Sequence, residues 1–235
     1  MYNDAVTTAC LSPALAASGA PRCAGAIAIA EDVPVPHILG LTGNIACGKT
    51  TVGLMLLELG ATTYVDADHA VHELYLPGKP LVPRLLEAFG PSILAPDGGV
   101  DRKALGQIVF GDREKLRLLE SIVHPAVQSA LLKHLRALPP DGVGVLDAVK
   151  LVEAGYAPLC EGVWLVTCPE EVQLRRLVDT RGMTTEEARL RLAAQPDLGP
   201  KRAAATEVIE NGGTLDDLRR QVTAAWQRFK ATLPA

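Results

Sequence analysis

The chain lacks the surplus of Lys and Arg that marks proteins built to hold polyanions: 23 basic residues stand against 27 acidic ones, a net charge of −4. Without it there is no field to draw in a duplex and displace its counterions, so no nucleic-acid partner is expected. Cysteine is sparse. Cys10, Cys23, Cys47, Cys160 and Cys168 are scattered, odd in number and free of any C-x-x-C spacing, which argues against a disulfide framework or structural zinc and fits a reducing, cytoplasmic setting. Long apolar runs are missing too. The longest near the start, Ala24 to Ala30, falls far short of the ~20 residues that cross a bilayer, so no membrane partner is expected. What is present is a chain of 235 residues, 48% hydrophobic and 21% charged, enough for a large core and too apolar to be disordered over most of its length.

Residues 1–36 differ from the rest: rich in Ala, Pro, Ser and Thr, nearly uncharged and without sustained period. They read as a disordered leader, and Asp4 ahead of the first apolar stretch argues against a signal peptide. From His37 short apolar runs alternate with amphipathic ones. Strands are expected at Ile38–Leu41, Thr62–Val65, Val143–Leu146, Val163–Val166 and Glu207–Ile209, separated by helical sequence. That alternation predicts an α/β fold, a parallel five-stranded sheet with helices on both faces, which is a three-layer sandwich. Val52, Met55, Leu56 and Leu59 mark a helix closed by Gly60; Thr214 and Asp217 form a variant capping box ahead of the apolar face Leu215, Leu218, Val222, Trp226 and Phe229. Residues 68–140 read as helical, with segments at Leu81–Phe89, Lys103–Phe110 and Glu114–Leu138, and Pro125 should end or kink the last of these. This is an insertion large enough to be a substrate-binding subdomain between core segments 37–67 and 141–235.

The strongest motif is Gly43-Asn44-Ile45-Ala46-Cys47-Gly48-Lys49-Thr50, followed by Thr51. It is a complete G-x-x-x-x-G-K-T placed between a strand and a helix. Such a loop wraps backbone N–H groups around phosphate oxygens, Lys49 reaches the β and γ phosphates, and the Thr50 hydroxyl ligates Mg²⁺. Asn44 is the residue expected to need a positive φ. Cys47, beside a helix N-terminus and Lys49, is either a thiol of lowered pKa or a small residue filling space.

Asp66-Ala67-Asp68 lies at the carboxyl end of the second strand, where ligands of open α/β sheets collect. Asp68 is read either as the carboxylate that orients or deprotonates an attacking hydroxyl or as the N-cap of the next helix. Asp147 ends the third strand and is either a Mg²⁺-directed carboxylate or an ordinary strand-end residue. Glu153, farther along the same loop, is a substrate ligand or a cap. Arg175, Arg176, Arg181, Arg189 and Arg191 surround the capping box Thr184 to Glu187, and together they suggest a helical lid over phosphates, spanning 174–204.

Taken with Asp101-Arg102-Lys103-Ala104-Leu105, Val109-Phe110, Leu118 to Pro125, Gln173-Leu174-Arg175-Arg176, Gln195 and Val208-Ile209-Glu210-Asn211-Gly212-Gly213, these blocks resemble the dephospho-CoA kinase family over roughly residues 37–230. The resemblance implies a P-loop kinase domain over 37–235 with a nucleoside-monophosphate-kinase-like core, a CoA-binding helical insertion and a lid. It implies ATP and Mg²⁺ as cofactors and transfer of the γ-phosphoryl to the ribose 3′-hydroxyl of dephospho-CoA. Asp68 then falls on the family's proposed base, Arg176 on its phosphate-binding lid arginine and Asn211 near the adenine. Val149-Lys150-Leu151 and Ala205-Thr206-Glu207 depart from the family pattern. The motif itself leaves two other readings open: a kinase of another nucleotide or small alcohol, and a nucleotide-binding regulator without catalysis.

Overall fold

The computed structural model describes residues 36–139 and 141–234. The expected leader lies outside the described residues except for Pro36, which is buried at the entrance to the first strand. Strands β1 (His37–Thr42), β2 (Thr63–Asp66), β3 (Val143–Asp147), β4 (Gly162–Thr167) and β5 (Glu207–Glu210) form one sheet in the order β2-β3-β1-β4-β5. Every pairing is parallel, which long helical crossovers between consecutive strands impose. Each expected strand is present.

Strand residues sort by parity onto two cores. Leu39, Leu41, Val143, Val145, Trp164 and Val166 face α1 (Lys49–Glu58) and the C-terminal helix. Ile38, Leu146 and Val163 face the opposite way, onto α2 (Ala67–Leu74), α3 (Leu81–Phe89), α4 (Arg102–Val109) and α5 (Arg113–Arg136). The insertion is therefore built on one face of the sheet, and among the described residues its only β feature is the isolated bridge Leu94–Val100.

Asp66, Asp101 and Asp112 start α2, α4 and α5 by accepting two backbone N–H bonds each. Of the two outcomes expected at Pro125, an end or a kink, the end does not occur: α5 runs through it. A proline inside a helix costs about 3 kcal/mol. Leu119, Val123, Val127, Leu131 and Leu135 are all essentially buried at every fourth position, and each contributes about 1.5–3 kcal/mol, so packing outweighs the lost hydrogen bond.

Beyond β4 come α6 (Glu170–Arg181), α7 (Thr185–Ala193) and α8 (Gly199–Ala204), then β5 and α9 (Leu215–Thr232). The two capping boxes close as the sequence predicts, Thr184 with Glu187 and Thr214 with Asp217. Leu215 departs from its expected place. It is 60% exposed because α9 turns that first-turn position away from the sheet. Among the described residues no helix is long and apolar enough to cross a membrane.

Candidate active site

The phosphate loop leaves β1 and enters α1 at the carboxyl edge of the sheet. Gly48 caps α1 in the left-handed region (φ 97°), and no side chain caps the helix start, so the first-turn N–H groups point into the site as an anion-binding end. A side chain could not replace this glycine: a Cβ there would lie 2.1 Å from Asn211 Nδ2. The positive φ expected at Asn44 falls instead on Ala46 (φ 57°). That turn directs the Ala46 carbonyl at Arg176, whose Nη1 donates to it at 3.1 Å.

Cys47 is 1% exposed. Burial pushes its thiol up, and the nearby Lys49 does not reverse this, which favours the space-filling reading over an activated thiolate. In the folded protein Cys47 is expected to stay unmodified by iodoacetamide at neutral pH, while urea-unfolded chain is labelled there; mass spectrometry of the digested protein reads both, and rapid native labelling would contradict the assignment.

Strand register assembles the acidic side. Pairing of β2 with β3 sets Asp66 opposite Asp147, and both end their strands beside Lys49. Burial draws the Lys49 ammonium down, yet the carboxylates of Asp147 most strongly, then Asp68 and Asp66, more than offset it and hold the pKa above the usual lysine value. Lys49 is thus a fixed cation. Asp147 is 4% exposed and its carboxyl is raised by burial, against the pull of Lys49 and of Tyr64. The Tyr64 hydroxyl donates to Asp147 Oδ2 at 2.5 Å. Its ring fits only because Gly53 faces it; a Cβ at Gly53 would come within 2.1 Å of the ring.

Sequence reasoning missed Tyr64, although the period of two along β2 places it on the same face as Asp66. Tyr64→Phe leaves a buried carboxylate short of a donor and is expected to cost about 1–3 kcal/mol. Urea unfolding checks it; an unchanged midpoint would mean that Lys49 alone satisfies Asp147.

The cap of α2 is Asp66, not Asp68: Asp66 Oδ1 accepts from Asp68 N at 2.8 Å and His69 N at 3.1 Å. Asp68 lies within the first turn of α2, and its charge acts on both Lys49 and Lys150. The capping reading of Asp68 is overturned for the physical reason that the residue two positions earlier already fills the cap.

From the other side Arg176 Nη2 donates to the Asn211 carbonyl at 3.1 Å and to Asn211 Oδ1 at 3.3 Å. Asn211 in turn donates from Nδ2 to the Cys47 carbonyl at 2.8 Å, tying the end of β5 to the phosphate loop. Of the five arginines read together, Arg176 and Arg181 border a cavity of about 360 Å³ beside the loop, with Thr50, Thr180, Asn211 and Leu215. Arg175 and Arg189 are exposed to solvent. Leu215 thus supplies an apolar wall of the cavity, which is why it is missing from the core. Gln195 Oε1 accepts from Ile45 N at 3.0 Å, and Lys201 Nζ reaches Asn44 Oδ1 at 3.3 Å. Lys201 had no signal in the sequence.

The donor set at Thr50 and Asp147, a hydroxyl and a carboxylate that both act on the Tyr64 hydroxyl, is hard oxygen and suits Mg²⁺ carried in with a triphosphate. Among the described residues no three His, Cys, Asp or Glu side chains converge as a protein-only metal cage would require, and an ion that keeps waters and phosphate oxygens does not need one.

Comparison with known proteins agrees with this geometry. The dephospho-CoA kinase family model matches residues 37–217. The dephospho-CoA kinase of Symbiobacterium thermophilum is 45% identical over 193 residues, 81% of this chain and 80% of its own. That of Carboxydothermus hydrogenoformans is 42% identical over 195 residues, 82% of this chain and 94% of its own. A crystal structure from Thermus thermophilus superposes with a TM-score of 0.71 at 34% identity, covering 83% of this chain and 98% of that one. The dephospho-CoA kinase of Campylobacter jejuni does so at 0.54 and 26%, covering 83% and 97%. With a phosphate loop, an acidic strand edge and a family match across nearly all of the described fold, this phosphotransferase belongs to the dephospho-CoA kinase family.

Proposed function

We propose that the chain phosphorylates the ribose 3′-hydroxyl of dephospho-CoA with ATP, using Asp68 as base, Lys49 and Arg176 as phosphate-facing cations and Asn211 beside the adenine. The observation that carries this reading is the convergence of Asp68, Asp147 and Lys49 at one corner of the sheet edge, next to an uncapped helix N-terminus. The hydroxyl oxygen attacks the γ-phosphorus in line, its proton passes to the Asp68 carboxylate, and the bond from γ-phosphorus to the bridging oxygen of ADP breaks. Lys49, kept protonated by Asp147, neutralises charge gathering on the transferred group. When bound, Mg²⁺ would be held by Thr50 and Asp147 and would supply charge neutralisation across the β and γ phosphates.

The residues 68–140 form the acceptor-binding insertion in this reading, and 174–204 the lid. The distribution of side chains supports it: Arg176 and Arg181 approach the cavity from α6, while α2, which carries Asp68, also packs on α5 of the insertion. Cys47, Cys160 and Cys168 stand as free thiols, which supports a reducing cytoplasm. The test is ADP release with dephospho-CoA, AMP, CMP, gluconate or shikimate as acceptor. Dephospho-CoA is expected to be turned over far faster than the rest, and equal or greater rates with a nucleoside monophosphate would overturn the substrate assignment.

A further inference from the structure

Lys201 is the most completely buried charged side chain among the described residues, with 0% exposure. It sits on α8, at the end of the lid segment, and points away from solvent into the base of the phosphate loop. Its ammonium meets Asn44 Oδ1 at 3.3 Å and Glu153 Oε1 at 3.5 Å. Glu153 comes from the opposite direction, on the loop that follows β3. Its side chain is 7% exposed, and no other donor comes closer to either carboxylate oxygen than the Lys201 ammonium. Burying such a pair costs more in lost hydration than its attraction returns, unless the geometry does something else.

The two ends of the pair belong to the two halves of the site. Asn44 is the second residue of the phosphate loop, and the neighbouring Ile45 N–H is held by Gln195 from the same lid segment. The loop carrying Glu153 starts at Asp147, and its path is pinned to β1 by the Thr42 hydroxyl, which donates to the Val149 carbonyl at 3.1 Å, and by the Ala148 N–H on the Leu41 carbonyl at 3.0 Å. That loop also carries Lys150, 4% exposed, on which Glu153, Glu120 of α5 and Asp68 of α2 all act. Moving Glu153 therefore moves the environment of Asp68, and moving Asn44 moves that of Lys49.

We infer that Lys201 and Glu153 form a buried strut of positioning residues that fixes the phosphate loop against the acceptor-side loop, setting the distance between the γ-phosphate on Lys49 and the hydroxyl on Asp68. The strut touches neither reacting atom. It acts by holding two loops in register, and a small misplacement of reacting groups is enough to cost on the order of 10²-fold in rate. The inference rests on the proposed roles of Lys49 and Asp68.

The test separates positioning from simple support of the fold. Glu153→Gln alone strands the Lys201 charge, and its Tm is expected to fall; Glu153→Gln with Lys201→Met removes both charges of the pair, and Tm is expected to rise above that of the single variant, with Lys150 still facing Glu120 and Asp68. Turnover is expected not to return: kcat of the double variant stays at least tenfold below wild type, while the Kd for ATP measured by calorimetry changes less than threefold. Recovery of kcat together with Tm would show the pair to be structural only and would overturn the inference. Asn44→Ala provides a second arm that keeps the buried pair and cuts its link to the phosphate loop. It is expected to fold with wild-type Tm and lose about tenfold in kcat; wild-type kcat in Asn44→Ala would equally overturn it. Wild-type turnover of ATP with dephospho-CoA is measured first, and its absence would refute the proposed function, an outcome distinct from an active wild type with fully active variants.

Discussion

Asp68→Asn is expected to lower kcat by about 10²–10⁴-fold, the contribution of a positioned general base, with ATP affinity nearly unchanged. The substitution is unusually clean because the competing explanation is already assigned elsewhere. Asp66 accepts the N–H bonds that start α2, so an asparagine at position 68 removes no cap. It also keeps the size and polarity of the side chain in the first helical turn. Lys49 and the α1 N-terminus, which bind the triphosphate in this account, are contributed by a different element. Stopped-flow or coupled ADP assays give kcat, and calorimetry gives the ATP Kd. A variant that binds ATP and keeps more than about half of wild-type kcat would remove Asp68 from the chemistry.

Lys49→Met is expected to damage both binding and turnover, by about 10²–10³-fold in kcat, the scale of losing one preorganised charge on a transition state. A large weakening of ATP affinity should accompany it. The cause of the double effect is electrostatic: Asp147, Asp68 and Asp66 all act on the Lys49 ammonium, and once it is gone their negative field faces the incoming triphosphate unopposed. Calorimetry and the ADP assay separate the two quantities, and a Lys49→Met enzyme with unchanged ATP Kd would contradict the placement of the phosphates.

The strands were legible because each is a short apolar run bounded by turn residues, and their parity onto two faces follows from the period of two alone. The capping boxes at Thr184 and Thr214 were legible for a similarly local reason: a hydroxyl and a carboxylate three residues apart each accept from the other residue's backbone N–H without help from the rest of the chain. The helix does not end at Pro125 because five buried apolar side chains of α5 outweigh a local penalty, a balance that the proline alone does not reveal. Asp68 and Asp66 both fit the cap by residue type, and only backbone placement distinguishes them.

Where long-range contacts decide the matter, the sequence is silent. Lys201 and Arg202 are adjacent basic residues in one helix, yet the first is fully buried and the second exposed, and nothing in their local context distinguishes them. Cys47 shows the same limit from the other side. Its neighbours along the chain suggest an activated thiol, whereas burial against the sheet sets its chemistry.

The most direct test of the account is the structure of the product. Wild-type protein incubated with ATP, Mg²⁺ and dephospho-CoA is expected to yield ADP and a new phosphomonoester in equal amounts, and phosphorus and proton NMR should place that ester on the ribose 3′ oxygen. ADP formation without the ester, or phosphate carried by any other hydroxyl, would contradict it.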